Sequence, residues 1–355
     1  MRTANLSRIK AVVYAPNALG KGLGKTANDL VIYRGGERFE IVAVVDPSSA
    51  GRDAGEVVGV GKRGIPVVSS LDEALSYKPK ALIIGAATVG GYIPPGWKQD
   101  IIRALELGLD VYNGLHHFLS EDPEAVKAAR KGGARIYDVR KPDKSKFRIW
   151  DGSVLNVDAK RVLVAGTDCE VGKNITTMEL YLELKRRSIR ACMIGTGQTM
   201  LLLGAEGMVV DAVPSDFVAG VVEYYVVKAA EKGCEVIVVE GQASILHPAY
   251  GHVSLGILRG VSPTHVVLAH TAQRWLRAAF EEKMPLHDPS LELKAIDLLN
   301  PYPDWRLAGI AIDTHFLDEE DARRELQYWR RRLGVPSTDP LRFGVKEIVD
   351  WIMAR

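Results

Sequence analysis

Apolar and polar residues alternate in short blocks along the whole chain. Compact runs dominated by Val, Ile, Leu and Ala recur at residues 10–15 (KAVVYA), 40–46 (EIVAVVD), 79–87 (PKALIIGAA), 109–114 (LDVYNG) and 134–140 (ARIYDVR). Between them the spacing shifts to the three-to-four-residue period of an amphipathic helix, at 71–77, 97–108 and 122–133. Buried-strand runs separated by helical stretches predict a parallel sheet with crossover helices. The last of these helices carries its own punctuation: Asp122 as N-cap, Pro123 at the first helical position, and Gly132 and Gly133 at the end.

Residues 141–160 (KPDKSKFRIWDGSVLNVDAK) interrupt this rhythm with Pro, Asp, Ser and scattered charge, and read as a linker. A second series of strand runs follows at 161–166 (RVLVAG), 189–195 (IRACMIG), 234–241 (CEVIVVEG), 264–270 (THVVLAH) and 306–313 (RLAGIAID). It closes on a helical pattern at 318–334, acidic at its start and basic at its end, as the helix dipole favours. The expectation is an α/β chain of two domains. Residues 1–145 form a Rossmann-like parallel-sheet domain and residues 146–355 a P-loop NTPase-like α/β domain.

Composition narrows the class. A chain of 355 residues exceeds one comfortable core. A net charge of +2 argues against a nucleic-acid partner. The basic clusters Lys185, Arg186, Arg187 and Arg330, Arg331, Arg332 fall on helical patterns and read as solvated faces. Cys169, Cys192 and Cys234 share no metal-type spacing, so no metal site is assigned and reduced thiols are expected. The N-terminus lacks an apolar signal core, and no apolar run nears the ~20 residues of a membrane span. A cytoplasmic enzyme acting on a small molecule follows. The apolar stretch 221–230 (VVEYYVVKAA) reads as an exposed helix face and suggests a homo-oligomer.

Residues 166–177, GTDCEVGKNITT, carry the candidate chemistry. A strand run enters Gly166, and a helical pattern resumes near Lys173, which is the context a phosphate-binding loop requires. Backbone N–H groups and the helix N-terminus make such a loop an anion cradle, and Lys173 supplies a point charge. Gly166, Thr167, Asp168, Gly172, Lys173, Asn174 and Thr176 are the candidate cofactor-binding residues. Asn174 stands where a Mg²⁺-ligating hydroxyl usually follows the lysine, and Thr176 or Thr177 is a candidate substitute. The gap between the glycines is one residue longer than in G-x-x-x-x-G-K, and the loop resembles that of dethiobiotin synthetase. A second glycine cluster, GKGLGKT at 20–26, does not match the dinucleotide fingerprint, although Asp46 ends the next strand where a ribose-binding acid would stand.

Ligands of doubly wound sheets gather beyond the carboxyl ends of strands. Those ends supply Glu240, His247 and His252 as candidate catalytic groups, and Gln198, Asp216, Gln242 and Tyr250 as candidate substrate contacts. Asp216 reads equally as a helix cap. His247, Tyr250 and His252 cluster in SILHPAYGH and suggest a substrate pocket. His116, His117, His270 and His315 also follow strand runs.

These residues resemble the two-domain P-loop proteins long catalogued as a domain of unknown function, which include the D-glutamate N-acetyltransferases (DgcN family). The resemblance spans KTAND, DPSSAGRDAGEV, GIPVVSSLDEAL, GLHHFLSEDP and IYDVRKP in the first half. In the second half it spans GTDCEVGK, GTGQT, DAVPSDFVAG, EGQASILHPAY and DPLRFG. Asn174, Met200 and Ala243 depart from the family pattern. The resemblance implies acetyl transfer from acetyl-CoA, as co-substrate, to the amine of an acidic, D-glutamate-like amino acid. Arg140, Arg259 and Arg342 are candidate clamps for its carboxylates. The alternatives are a Mg-ATP-dependent ligase or kinase like dethiobiotin synthetase, with ATP and Mg²⁺ at the loop, and a nucleotide-sensing binding protein.

Overall fold

The computed structural model describes residues 8–278, 284–300, 302 and 304–354; the start of the N-terminal segment lies outside them. The chain divides into two compact units: Met1–Pro142 with Gln198–Gly204, and Asp143–Gly197 with Ala205–Arg355.

The first unit is built on six strands: β1 (Ile9–Tyr14), β2 (Phe39–Val45), β3 (Val67–Val68), β4 (Ala81–Ile84), β5 (Asp110–Asn113) and β6 (Ile136–Asp138). All pair in parallel, in the order β3-β2-β1-β4-β5-β6. This is the doubly wound Rossmann order, whose strand sequence reverses beside β1. Ala11, Val12 and Val13 of β1 and Ala81, Leu82 and Ile83 of β4 are fully buried, as helices on both faces of a parallel sheet require. The Pro123–Gly132 helix starts where the sequence says it should. Asp122 accepts from the N–H groups of Glu124 and Ala125, and Gly133 ends the helix in the left-handed region at φ 70°. β3 has only two residues, too few to show a period.

The second unit carries β7 (Lys160–Gly166), β8 (Ala191–Gly195), β9 (Glu206–Gly207), β10 (Val236–Glu240), β11 (His265–Thr271), β12 (Arg306–Asp313) and β13 (Ser337–Thr338). Its parallel order is β13-β12-β11-β7-β10-β8-β9, so the strand entering the phosphate loop lies between β11 and β10. The carboxyl ends of those neighbours therefore flank the loop.

Two sequence expectations are corrected here. Cys192 and Cys234 are not reduced thiols but form a disulfide with a Cα–Cα separation of 5.8 Å; Cys169 is outside any disulfide. Cys192 lies on β8, and Cys234 leads into β10, its hydrogen-bonded neighbour. Sheet pairing, not sequence spacing, brings them together. The stretch 221–230 is not an exposed face. It belongs to the Ser215–Glu231 helix, which buries Val221, Val222, Val226 and Ala229. The Gly251–Val261 helix covers it: a Cβ at Gly260 would lie 2.4 Å from the Ala219 carbonyl oxygen.

Candidate active site at the phosphate loop

β7 delivers Gly166 into the loop, and the Lys173–Arg186 helix leaves it. Gly172 caps that helix in the left-handed region, at φ 82°, which glycine enters without strain. Gly166 is required for space. A Cβ there would lie 2.8 Å from Lys173 Cδ and 2.9 Å from its Nζ. The Lys173 side chain lies across Gly166 and donates to the carbonyl oxygens of Asp168 at 2.6 Å and Ala243 at 3.2 Å. Lys173 is only 5% exposed, so its charge is confined to the cradle. The first N–H groups of a helix lack intrahelical acceptors, and together with the helix dipole they suit the loop to an anion.

The loop's polar side chains mainly hold the loop. The Thr167 hydroxyl lies 2.9 Å from His270 Nδ1, and its N–H donates to the Ala269 carbonyl. Asp168 is fully buried and accepts from Arg274 Nη2 at 2.6 Å, Arg277 Nη1 at 3.3 Å and the Ala278 N–H at 2.8 Å. Arg274 also donates to the Cys169 carbonyl at 2.7 Å. The hydroxyls of Thr176 and Thr177 donate to the Gly172 and Lys173 carbonyls, one turn back in the same helix. Asn174 is buried in the first helical turn.

Glu240 ends β10 and turns toward β8. Its Oε2 accepts from the Thr196 N–H at 2.8 Å and the Gly197 N–H at 2.9 Å, while the Thr196 hydroxyl donates to the Glu240 carbonyl at 2.9 Å. Gln242 Nε2 donates to that hydroxyl at 2.9 Å. A Cβ at Gly197 would sit 3.1 Å from Gln242 Nε2 and 3.3 Å from Glu240 Oε1, so glycine keeps that approach open.

His247 is buried, and its Nδ1 accepts from the N–H groups of Ala249 and Tyr250, both at 3.1 Å. Burial holds this imidazole below its usual range; Arg277 and Lys173 add to the shift and Asp168 opposes it. It is therefore neutral near pH 7, with its proton on Nε2, which faces Asp168 Oδ1 at 3.6 Å. Asp168, Cys169 and His247 bring potential metal-ligating atoms within 4.8 Å of one another, but Arg274 and Arg277 already compensate the carboxylate. Tyr250 stacks on His247 at 4.8 Å and is exposed, as is His252. The space behind Gly166, bounded by Gly241, Gln242, Ser244 and Glu292, is about 10 Å³, room for no more than a water.

The remaining candidates have other surroundings. Asp216 is exposed in the first turn of the Ser215–Glu231 helix, whose N-cap position is Pro214, so it does not cap that helix. Gln198 belongs to the first unit, where its Oε1 accepts from Arg140 Nη2 at 2.9 Å. Arg259 is exposed, and Arg342 donates to the carbonyls of Thr314 and Leu317. His315 is exposed and pairs with Asp313. Asp46 does not present itself to a ribose: its Oδ1 accepts from the Asn17 N–H at 2.6 Å and from Ser48.

Sequence reasoning missed Arg274, Arg277 and Glu292. Glu292 is buried beneath the 244–246 turn and accepts from the Ser244 hydroxyl and the Ile245 N–H, both at 2.7 Å; burial pushes its carboxyl up. The arginines carry a usable signal only once β11 is known to lie beside β7.

Comparison with known proteins gives a consistent outcome. A family described as "Domain of unknown function (DUF1611_C) P-loop domain" matches residues 148–349. Its companion, "Domain of unknown function (DUF1611_N) Rossmann-like domain", matches residues 47–142. A protein of Tritonibacter scottomollicae named D-glutamate N-acetyltransferase is 35% identical over 291 residues, which is 80% of this chain and 84% of that relative. One of the same name from a Pseudoalteromonas species is 32% identical over 281 residues, covering 79% and 83%. The crystal structure of a DUF1611 family protein from Anabaena variabilis superposes with a TM-score of 0.91 at 32% identity. It covers 98% of this chain and all of that one.

Proposed function

The chain belongs to the DUF1611 family, and on that premise we propose that it is an N-acetyltransferase that moves acetyl from acetyl-CoA to the amine of an acidic, D-glutamate-like amino acid. The observation that carries this reading is the identity of 32–35%, over about four-fifths of the chain, to two relatives bearing that activity in their names. The loop geometry suits the donor. Coenzyme A carries a diphosphate, and the loop combines a helix N-terminus with the ammonium of Lys173. Gly166 keeps the space that Lys173 crosses.

Acetyl-CoA supplies an activated thioester; the protein must grip it and unload a proton from the acceptor ammonium. Lys173 and the loop amides hold the diphosphate. Glu240 is the group we assign to take the proton. It is a buried carboxylate at the carboxyl end of the strand beside the loop, oriented by the Thr196 and Gly197 amides. His247 serves a different purpose, because its Nδ1 already accepts two backbone N–H groups. It holds the 247–250 turn against Asp168.

The test is release of the CoA thiol from acetyl-CoA with D-glutamate as acceptor. Wild-type protein should release thiol. Glu240→Gln should lower kcat by ~10²–10⁴-fold with little change in KM. Lys173→Ala should raise KM for acetyl-CoA. Protein that splits ATP in the presence of Mg²⁺ but releases no thiol would overturn the reading in favour of the ligase class.

A further inference from the structure

The carboxyl end of β12 opens beside the phosphate loop. A Cβ at Gly172 would lie 4.0 Å from the Cβ of Asp313, the last residue of β12. The Ala272 N–H donates to the Asp313 carbonyl at 3.0 Å, which ties that end to the segment after β11. Beyond Asp313 the chain turns through Thr314, His315, Phe316 and Leu317 before the Glu319–Leu333 helix. Phe316 is 61% exposed in this turn. A single exposed apolar side chain is ordinary on a protein surface. This one differs in how firmly its turn is held and in what lies beside it.

The DPLRFG segment, residues 339–344, anchors the turn. Asp339 is buried. Its Oδ2 accepts from the Thr314 N–H at 3.0 Å and the Thr314 hydroxyl at 2.6 Å, while its Oδ1 accepts from the N–H groups of Leu341 and Arg342. Arg342 Nη1 donates to the carbonyls of Thr314 at 3.2 Å and Leu317 at 3.0 Å, so one guanidinium closes both ends of the turn. Asp313 Oδ1 accepts from the His315 N–H at 3.1 Å and meets His315 Nδ1 at 2.8 Å. The His315 ring lies against that of Phe316, with centroids 3.4 Å apart and planes inclined by 48°. Asp313, Asp339 and Arg342 thus fix a backbone whose aromatic side chain stands in solvent.

The sheet sets the reach. β12 is the second strand from β7, with β11 between them. At ~4.8 Å per strand, the turn stands about 10 Å to the side of the strand that enters the loop. That is the span from a diphosphate across one ribose to a base. Trp275, 79% exposed, follows β11, one strand from β7, and falls short of that span. Tyr250 is already stacked on His247.

We propose that Phe316, backed by His315, is the stacking platform for the adenine of the nucleotide whose diphosphate lies in the phosphate loop. Every nucleobase has a π-face, and an aromatic ring on a turn held in advance binds it with little further ordering. Coenzyme A and ADP share this adenine and diphosphate, so the platform accepts either. The proposal rests on the reading of the loop as a diphosphate grip. It adds the residue by which the site tells a nucleotide from a bare diphosphate.

Isothermal titration of the full chain tests it, with coenzyme A, ADP and inorganic pyrophosphate as probes. Phe316→Ala should weaken coenzyme A and ADP ~5–150-fold, the range for removing an aromatic ring from under a base, and leave pyrophosphate unchanged. Phe316→Trp should restore the affinity for both nucleotides. Because the ring is exposed, neither variant should shift the melting temperature. Lys173→Ala should weaken all three probes. Wild-type affinity for coenzyme A and ADP in Phe316→Ala, or a loss that extends equally to pyrophosphate, would overturn the platform and leave the acetyl-transfer reading standing. So would a loss in Trp275→Ala that Phe316→Ala does not share. ADP held through Phe316 by a protein that does not bind coenzyme A would keep the platform and overturn the acetyl donor. Binding of neither nucleotide would overturn both.

Discussion

Replacing His270 with glutamine should remove about one proton of pH dependence from the stability of the P-loop unit. In an unfolded chain this imidazole takes a proton near pH 6.5. In the folded chain, burial and then Arg274 press its pKa down to about 4, against a smaller opposing pull from Asp288. Between those two values the unfolded state binds more protons, so stability falls as the pH falls. The contribution is whole above pH 6.5 and gone below about 4. At ~1.4 kcal/mol per pH unit, the gap corresponds to about 3 kcal/mol. Glutamine can still reach the Thr167 hydroxyl that His270 Nδ1 meets at 2.9 Å, so the loop keeps its anchor. Urea unfolding at several pH values between 4 and 8 measures the slope, and the Cε1 proton resonance of His270 gives the midpoint directly. A His270 resonance that titrates near 6.5, or wild-type and variant curves that decline in parallel, would refute the reasoning.

Further outcomes are expected elsewhere. Gly166→Ala should leave the fold intact but displace Lys173, whose Cδ and Nζ would lie within 3 Å of the new Cβ; titration with acetyl-CoA should show binding lost while the melting temperature changes little. Glu292→Ala strips the Ser244 hydroxyl and Ile245 N–H of their acceptor and should lower stability by ~2–4 kcal/mol, read from denaturant midpoints. Thiol counting on denatured, unreduced protein should find one thiol per chain, that of Cys169. Reduction of the Cys192–Cys234 disulfide, which closes 42 residues, should cost about 4 kcal/mol of stability on the chain-entropy model. Asp122→Ala should cost ~1 kcal/mol in unfolding experiments, because the Pro123–Gly132 helix loses its cap.

Long periodic runs were legible from residue order, and short or remote relations were not. β1, β7 and β11 stand out because fully buried parallel strands are continuous apolar runs. β3, β9 and β13 have two residues each, and pairing alone defines them. The phosphate loop was readable because strand, glycines, lysine and helix are contiguous. Its supports were not. Arg274 and Arg277 reach Asp168 from more than a hundred residues away, and the contact depends on β11 lying beside β7. Gln198 shows the same limit: it follows a strand of the second unit in the chain, yet its helix packs in the first. The 244–252 segment reads as a pocket from its rings, whereas His247 and Glu292 satisfy that turn from within.

The chain passes between its two units at 142/143, 197/198 and 204/205. A fragment ending at Pro142 would therefore lack the Gln198–Leu203 helix, leaving Thr26 without its hydroxyl partner and Arg140 without one acceptor. The complementary fragment would carry that helix with nothing of its own unit to bury Met200, Leu202 and Leu203. The halves are thus poor candidates for expression as separate modules or for exchange by recombination. Inheritance as one gene preserves the loan of a helix that a cut at the linker would sever.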